Sequence, residues 1–160
     1  MSDRQRILIL CTGNSARSQM AEGLLRHIAG DRFEVESAGV EPSHVRPEAI
    51  AAMNEIGIDI SNHRSKSVDE FVDKHFDYVI TVCNNARESC PVFPGSAKPI
   101  HWSFDDPAAV KGTEDERLSA FRTVRDQIGK WLDQFVVNGG SSVESDSCST
   151  QSRMYDTFIS

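Results

Sequence analysis

The sequence predicts an α/β fold in three layers, α/β/α, around a four-stranded parallel sheet. Three observations carry that prediction. Apolar runs over residues 6–11 and 78–83 are continuous enough for strands covered on both faces. Helical periodicities lie between the strand-like runs, so neighbouring strands are joined by crossovers rather than hairpins. A length of 160 residues suits one packed core and is short for two.

The first run, Ile7-Leu8-Ile9-Leu10, leads into a polar loop, Cys11-Thr12-Gly13-Asn14-Ser15-Ala16-Arg17-Ser18. A helix is predicted over 17–29, with Met20, Leu24 and Ile28 on one face. Residues 33–38, Phe33-Glu34-Val35-Glu36-Ser37-Ala38, alternate like an edge strand. Pro47 opens a helix over 47–56, and Ser67 caps another over 67–74. Tyr78 to Cys83 reads as the second central strand, and Lys98 to Phe104 as a weaker fourth. The longest helix covers 114–136 behind a Thr113/Glu116 capping box, its stripe running Leu118, Phe121, Val124, Ile128, Trp131, Leu132 and Phe135. That stripe belongs to the core. Residues 1–137 thus form one domain, and the Gly/Ser/Thr/Asp-rich stretch 138–160, with Cys148, is expected to be a flexible C-terminal tail.

A strand that ends in a small polar loop opening a helix aims several backbone N–H groups into one concavity, where the helix dipole favours negative charge. Arg17 adds a planar fork of donors suited to a tetrahedral oxyanion. Cys11 at the mouth of such a nest is expected to stand as a thiolate nucleophile, with the Ser18 hydroxyl donating to its sulfur. The competing reading is a packing cysteine, the usual fate of a lone Cys at a strand end. The neighbours favour the nucleophile. Thr12, Gly13, Asn14, Ser15, Ala16 and Arg17 are the expected oxyanion-binding residues. The loop lacks the Gly-Lys-Ser/Thr of a nucleotide P-loop.

A second cluster is Cys83-Asn84-Asn85-Ala86-Arg87-Glu88-Ser89-Cys90-Pro91. Its cysteine spacing matches no zinc knuckle, and the histidines are scattered, so no metal is expected. A buried structural thiol competes for Cys83 taken alone. In an open parallel sheet, however, ligands collect beyond the carboxyl ends of the strands, so Cys11 and Cys83 should share one rim. Cys90 follows on a polar segment, and three such thiols can pass a disulfide outward by exchange. The third element is His101-Trp102-Ser103-Phe104-Asp105-Asp106-Pro107. An acid before proline is often only a turn signal, but a carboxyl on a rim loop can protonate a departing oxygen. Asp106 is the expected acid and Asp105 its alternate.

The net charge of −7 without a basic run argues against nucleic acid and anionic membrane as partners. No apolar run approaches a secretion signal or a membrane span, so the protein is expected to be cytoplasmic. There, cysteines serve catalysis, redox or metals more often than structural disulfides. Nothing suggests an obligate interface, and a monomer is expected.

Cys11 to Ser18, the Asp106-Pro107 pair and the strand order resemble the low-molecular-weight protein tyrosine phosphatase fold. The Cys83/Cys90 pair and Phe104-Asp105-Asp106-Pro107-Ala108 look like the thioredoxin-coupled arsenate reductases built on that fold, over roughly residues 5–137. The resemblance implies that Cys11 attacks arsenate, which phosphate or sulfate would mimic, while the loop amides and Arg17 hold it and Asp106 protonates the leaving hydroxide. It implies next that Cys83 attacks Cys11 and releases arsenite, that Cys90 attacks Cys83, and that thioredoxin or a comparable dithiol reduces the Cys83–Cys90 pair. No bound cofactor is implied, because the electrons come from thiols.

Three departures stand out. Ala16 takes the place of a second loop cysteine found in some relatives. Asn14, Glu22 and Ser37 match a potassium-binding set, but Lys66 stands where an aspartate would complete it, and its ammonium is expected to supply the charge. The tail with Cys148 is not covered. Two other functions compete. One is hydrolysis of phosphotyrosine or small phosphoesters by the same Cys11, Arg17 and Asp106; against it, Ala108 and Ala109 stand where phosphatases of this fold usually place aromatic residues. The other is a metalloid-binding regulator with soft thiol ligands, which would leave Asp106 and an activated Cys11 without a task.

Overall fold

The computed structural model describes residues 4–88, 90 and 97–138, with the side chains of Asn84 and Asn85 outside the description. Cys148 and the expected tail beyond Asn138 lie outside the described residues. Four parallel strands, β1 (Gln5–Cys11), β2 (Phe33–Gly39), β3 (Tyr78–Thr81) and β4 (Lys98–His101), form one sheet in the order β2-β1-β3-β4. Four helices, α1 (Arg17–Ala29), α2 (Pro47–Asn54), α3 (Asn84–Glu88) and α4 (Glu114–Val137), accompany two 3-10 turns at Val68–Phe71 and Pro107–Ala109. β2 and β4 lie on opposite sides of the β1/β3 pair, and connections of the usual right-handed kind that step in opposite directions place helices on both faces of such a sheet.

Ile7 to Leu10 and Ile80 are fully buried, as the two central positions demand. β2 is the edge, and Glu34 and Glu36 are less buried there than Val35. Arg26 blunts that edge: its Nε and Nη2 donate to the Val35 carbonyl at 3.2 and 2.7 Å, occupying an acceptor that another strand would need. The strand order reverses beside β1, so the loops leaving β1 and β3 open onto one crevice at the carboxyl rim.

α4 starts at the expected capping box, in which Thr113 and Glu116 satisfy each other's backbone N–H groups. Its apolar stripe meets an aromatic cluster. Trp131 lies 5.4 Å from Trp102 and 5.9 Å from Phe104, and Phe135 lies 5.3 Å from Tyr78. Trp102 and Phe104 are thereby anchored, which fixes the segment that carries Asp106 to the rim.

Several expected boundaries move. The helix expected over 67–74 is only the 3-10 turn Val68–Phe71, because its two buried residues, Val68 and Phe71, are three apart and a 3-10 turn brings them onto one face. Ser67 still caps it, accepting from the Asp69 N–H at 3.0 Å. β3 stops at Thr81 rather than 83, since the chain turns at Cys83 into α3, a helix the sequence did not suggest. β4 loses its partner at the same level and ends at His101 instead of Phe104. α2 ends at Asn54, closed by Gly57 at φ +81°, a left-handed position that favours glycine. Ile28 is exposed; α1 instead buries Met20, Ala21, Leu24 and Leu25 between sheet and α4. No helix among the described residues is long and apolar enough to cross a membrane.

Candidate active site

The loop between β1 and α1 turns on Asn14, whose φ of +47° is the one left-handed value at a non-glycine among the described residues. Asparagine tolerates that conformation better than most residues, and here its side chain is fully used. Nδ2 donates to Ser18 Oγ at 2.8 Å and to Ser37 Oγ at 2.9 Å. Oδ1 accepts from the Lys66 N–H at 2.7 Å and from Gln19 Nε2 at 2.9 Å. Gly39, at the end of β2, lets the loop lean close: a Cβ there would meet Thr12 O at 2.6 Å and Asn14 N at 2.7 Å.

Cys11, 2% exposed, sits at the floor. Its Sγ lies 2.8 Å from Ser18 Oγ and accepts the Asn14 N–H at 3.2 Å. Because Ser18 Oγ already accepts from Asn14, its own hydrogen is left to point at the sulfur, an arrangement that stabilises a thiolate. The chain of bonds continues inward: Ser37 Oγ donates to Glu22 Oε1 at 2.6 Å, and Arg26 Nη2 holds Glu22 Oε2 at 2.8 Å. Lys66 Nζ stands 3.7 Å from Glu22 and 3.9 Å from Glu36. With that ammonium between the carboxylates and Asn14 Oδ1 already accepting two bonds, a potassium ion shared by Asn14, Glu22 and Ser37 does not fit.

Gln19 extends the network. Its Nε2 donates to Asn14 O and Arg64 O at 3.1 and 2.9 Å, so its Oε1 is the acceptor that meets His63 Nδ1 at 2.9 Å. Burial pushes the His63 imidazole below its usual value.

Cys11, Thr12, Gly13, Ser15, Ala16 and Arg17 line a cavity of about 190 Å³, to which Arg46, Asp106 and Ala108 also contribute. Arg17 is aimed by Nη1, which donates to Phe104 O at 3.1 Å, while Nη2 lies 3.8 Å from Asp106 Oδ2. Asp106 Oδ1 accepts from the Ala108 N–H at 3.0 Å, holding the carboxyl at the wall. Asp105 is exposed and is not part of the lining. Cys83, 6% exposed, stands just after β3 with Sγ 3.3 Å from Thr12 Oγ1, and accepts the Ala86 N–H at 3.4 Å. Cys90 is half-buried, and burial raises its thiol above the usual value. No disulfide joins Cys11, Cys83 and Cys90. Arg46 and His63 were not legible as site residues, because only tertiary packing brings them to the loop and its network; Gln19, one residue past the loop on the first turn of α1, bonds Asn14 locally but lies outside the motif.

Residues 6–147 match the family model described as low molecular weight phosphotyrosine protein phosphatase. The chain belongs to that family. Within it, an arsenate reductase of Bacillus subtilis (strain 168) and one of Halalkalibacterium halodurans are each 47% identical over 133 residues, covering 83% of this chain and 96% of theirs. Among solved structures, an arsenate reductase in an oxidised state superposes with a TM-score of 0.70 at 32% identity, covering 84% of this chain and 98% of that one. A low molecular weight protein tyrosine phosphatase from T. tengcongensis gives a TM-score of 0.69 at 28% identity, with 84% and 99% covered. This phosphatase-family scaffold therefore resembles reductases and a hydrolase alike in its fold.

Proposed function

We propose that this phosphatase-family protein is a cytoplasmic, monomeric enzyme that reduces arsenate to arsenite by a relay through Cys11, Cys83 and Cys90, regenerated by thioredoxin. The observation that carries the reading is the second buried thiol, Cys83, 3.3 Å from the hydroxyl of Thr12 in the nucleophile loop. Hydrolysis needs no such thiol. In addition, among the described residues no aromatic side chain lines the cavity to grip a phenol ring.

The loop amides and Arg17 bind the oxyanion, and the Cys11 thiolate forms an S–As bond as one oxygen leaves. Asp106 gives its proton to the leaving hydroxide, which departs as water and leaves Asp106 as a carboxylate. Cys83, as thiolate, then attacks Cys11 Sγ. The S–As bond breaks with its electron pair going to arsenic, so As(V) becomes As(III) and a Cys11–Cys83 disulfide remains. Ser18 stabilises the sulfur of Cys11 each time it leaves. Cys90 attacks Cys83, freeing the Cys11 thiolate, and a thioredoxin dithiol reduces the resulting Cys83–Cys90 bond. The electrons come from thiols throughout, so no bound cofactor enters, and a reducing compartment keeps the three cysteines ready.

The test is NADPH consumption with thioredoxin, thioredoxin reductase and arsenate, with para-nitrophenyl phosphate hydrolysis measured alongside. Arsenate-dependent oxidation is expected in the wild type and lost as steady turnover in Cys83→Ser and Cys90→Ser. Hydrolysis retained in both variants, with no arsenate-dependent oxidation in the wild type, would replace this reading with a phosphatase.

A further inference from the structure

Arg46 lines the cavity that holds Cys11, Arg17 and Asp106, and it also lines a neighbouring groove of about 410 Å³ with Lys111 and Arg117. It therefore stands where the two meet, at the mouth. Its place is fixed by the backbone: the Arg46 N–H donates to Ser15 O at 2.9 Å, and its carbonyl accepts from Ala49 and Ile50 as α2 begins. Pro47, the first residue of the helix, stiffens that start. The side chain does not cap the helix, and no hydrogen bond or ion pair engages its guanidinium among the described residues. A half-buried arginine on a catalytic wall, tied to the loop and uncommitted, is a donor waiting for an anion.

The charges give it a task. Arg17 brings a single positive charge, and its Nη1 is already committed to Phe104 O at 3.1 Å. A dianionic oxyanion entering beside the Cys11 thiolate then adds negative charge faster than Arg17 offsets it. We infer that Arg46 is a second oxyanion-binding cation that contacts the outermost oxygen of the bound substrate and so favours a free oxyanion over its esters, whose carbon group would stand at that oxygen beside Ala108. This inference rests on the oxyanion reading of the loop.

The test is calorimetric titration of the full-length protein with inorganic phosphate, together with KM and kcat for arsenate. Arg46→Asn is expected to weaken phosphate about tenfold or more, the range of a lost charge-assisted hydrogen bond. KM for arsenate should rise in parallel while kcat stays within about twofold, and Arg46→Lys should restore part of the affinity. Lys111→Ala, farther along the groove, should leave phosphate binding unchanged. Unchanged phosphate affinity in Arg46→Asn would overturn the inference. So would an equal loss in Lys111→Ala, which would mean a diffuse field, or a loss confined to kcat with a lowered Tm, which would mean a structural helix start. Phosphate binding needs no turnover: a wild type that binds phosphate through Arg46 yet never reduces arsenate would sink the proposed function and leave this inference standing.

Discussion

The hydroxyl of Thr12 lies 3.3 Å from Cys83 Sγ, so the residue directly after Cys11 touches the thiol that follows Cys11 in the proposed relay. That contact spans two adjacent strand ends of the sheet, and it orients Cys83 toward the loop. Replacing Thr12 with valine keeps the volume and removes the contact. We expect Thr12→Val to slow arsenite release in a single turnover by about fivefold, the worth of one ordinary hydrogen bond near 1 kcal/mol, while para-nitrophenyl phosphate hydrolysis stays near wild type. A rapid-quench measurement of arsenite that finds no change would remove Thr12 from the relay.

Asp106 lines the cavity and Asp105 does not. Asp106→Asn should cut the first chemical step by roughly 100- to 10,000-fold, while Asp105→Asn should leave it within about twofold. Equal losses in the two variants, read by single-turnover kinetics, would move the proton donor elsewhere.

Asn14 holds Ser18 so that the serine hydrogen faces Cys11. Ser18→Ala should slow alkylation of Cys11 by iodoacetamide at neutral pH and lower turnover, without a large change in Tm. Asn14→Ala should do both and also destabilise. Its left-handed backbone costs an alanine about 1–2 kcal/mol, and the orphaned partners add about 1–3 kcal/mol. A variant with wild-type Tm would show that the network is not structural.

Lys66 stands against Glu22 where a metal ion would otherwise be needed. Turnover is therefore expected to be the same in potassium and in matched sodium buffers, and a clear rise with potassium would contradict this. Lys66→Met should cost about 2 kcal/mol in chemical denaturation, below the 3–5 kcal/mol typical of breaking a buried pair, because Arg26 keeps its hold on Glu22.

Burial is the largest cause that holds both His63 and His101 below the usual imidazole value. Each then binds a proton more readily in the unfolded chain than in the folded one. Stability is full above about pH 6.5, the unfolded value, and falls as pH drops below it toward the folded values. A Tm lower by a few degrees at about pH 5.5 than at about pH 7.5 is expected, with the difference reduced in His63→Gln. The same drop in that variant would assign the effect to other groups.

The sheet was largely legible in the sequence because burial on two faces leaves a mark. β1 and β3 read as unbroken apolar runs, and Phe33 to Ala38 as the alternation of an edge. The α4 stripe and its capping box were equally plain. The turn at Val68–Phe71 was not, since two apolar residues three apart look like one face of an α-helix. α3 went unseen because five mostly polar residues carry no period. At the site, the loop from Cys11 to Ser18 is one contiguous word, so its residues could be read directly. Arg46 and His63 could not, because only tertiary packing brings Arg46, just before α2, to Ser15 and His63, in the segment before the Val68 turn, to Gln19; Gln19 lies just past that word, and its bonds to Asn14 follow from the first turn of α1.

The central claim is that a disulfide moves from Cys11 through Cys83 to Cys90, and peptide mass mapping after one turnover with arsenate and no reductant tests it most directly. The account predicts a Cys83–Cys90 disulfide in the wild type, a Cys11–Cys83 disulfide trapped in Cys90→Ser, and no disulfide among these three cysteines in Cys83→Ser. Because burial raises the Cys90 thiol, the last exchange should also quicken as pH rises through the neutral range. Wild-type protein that releases stoichiometric arsenite with all three cysteines still reduced would contradict the relay outright.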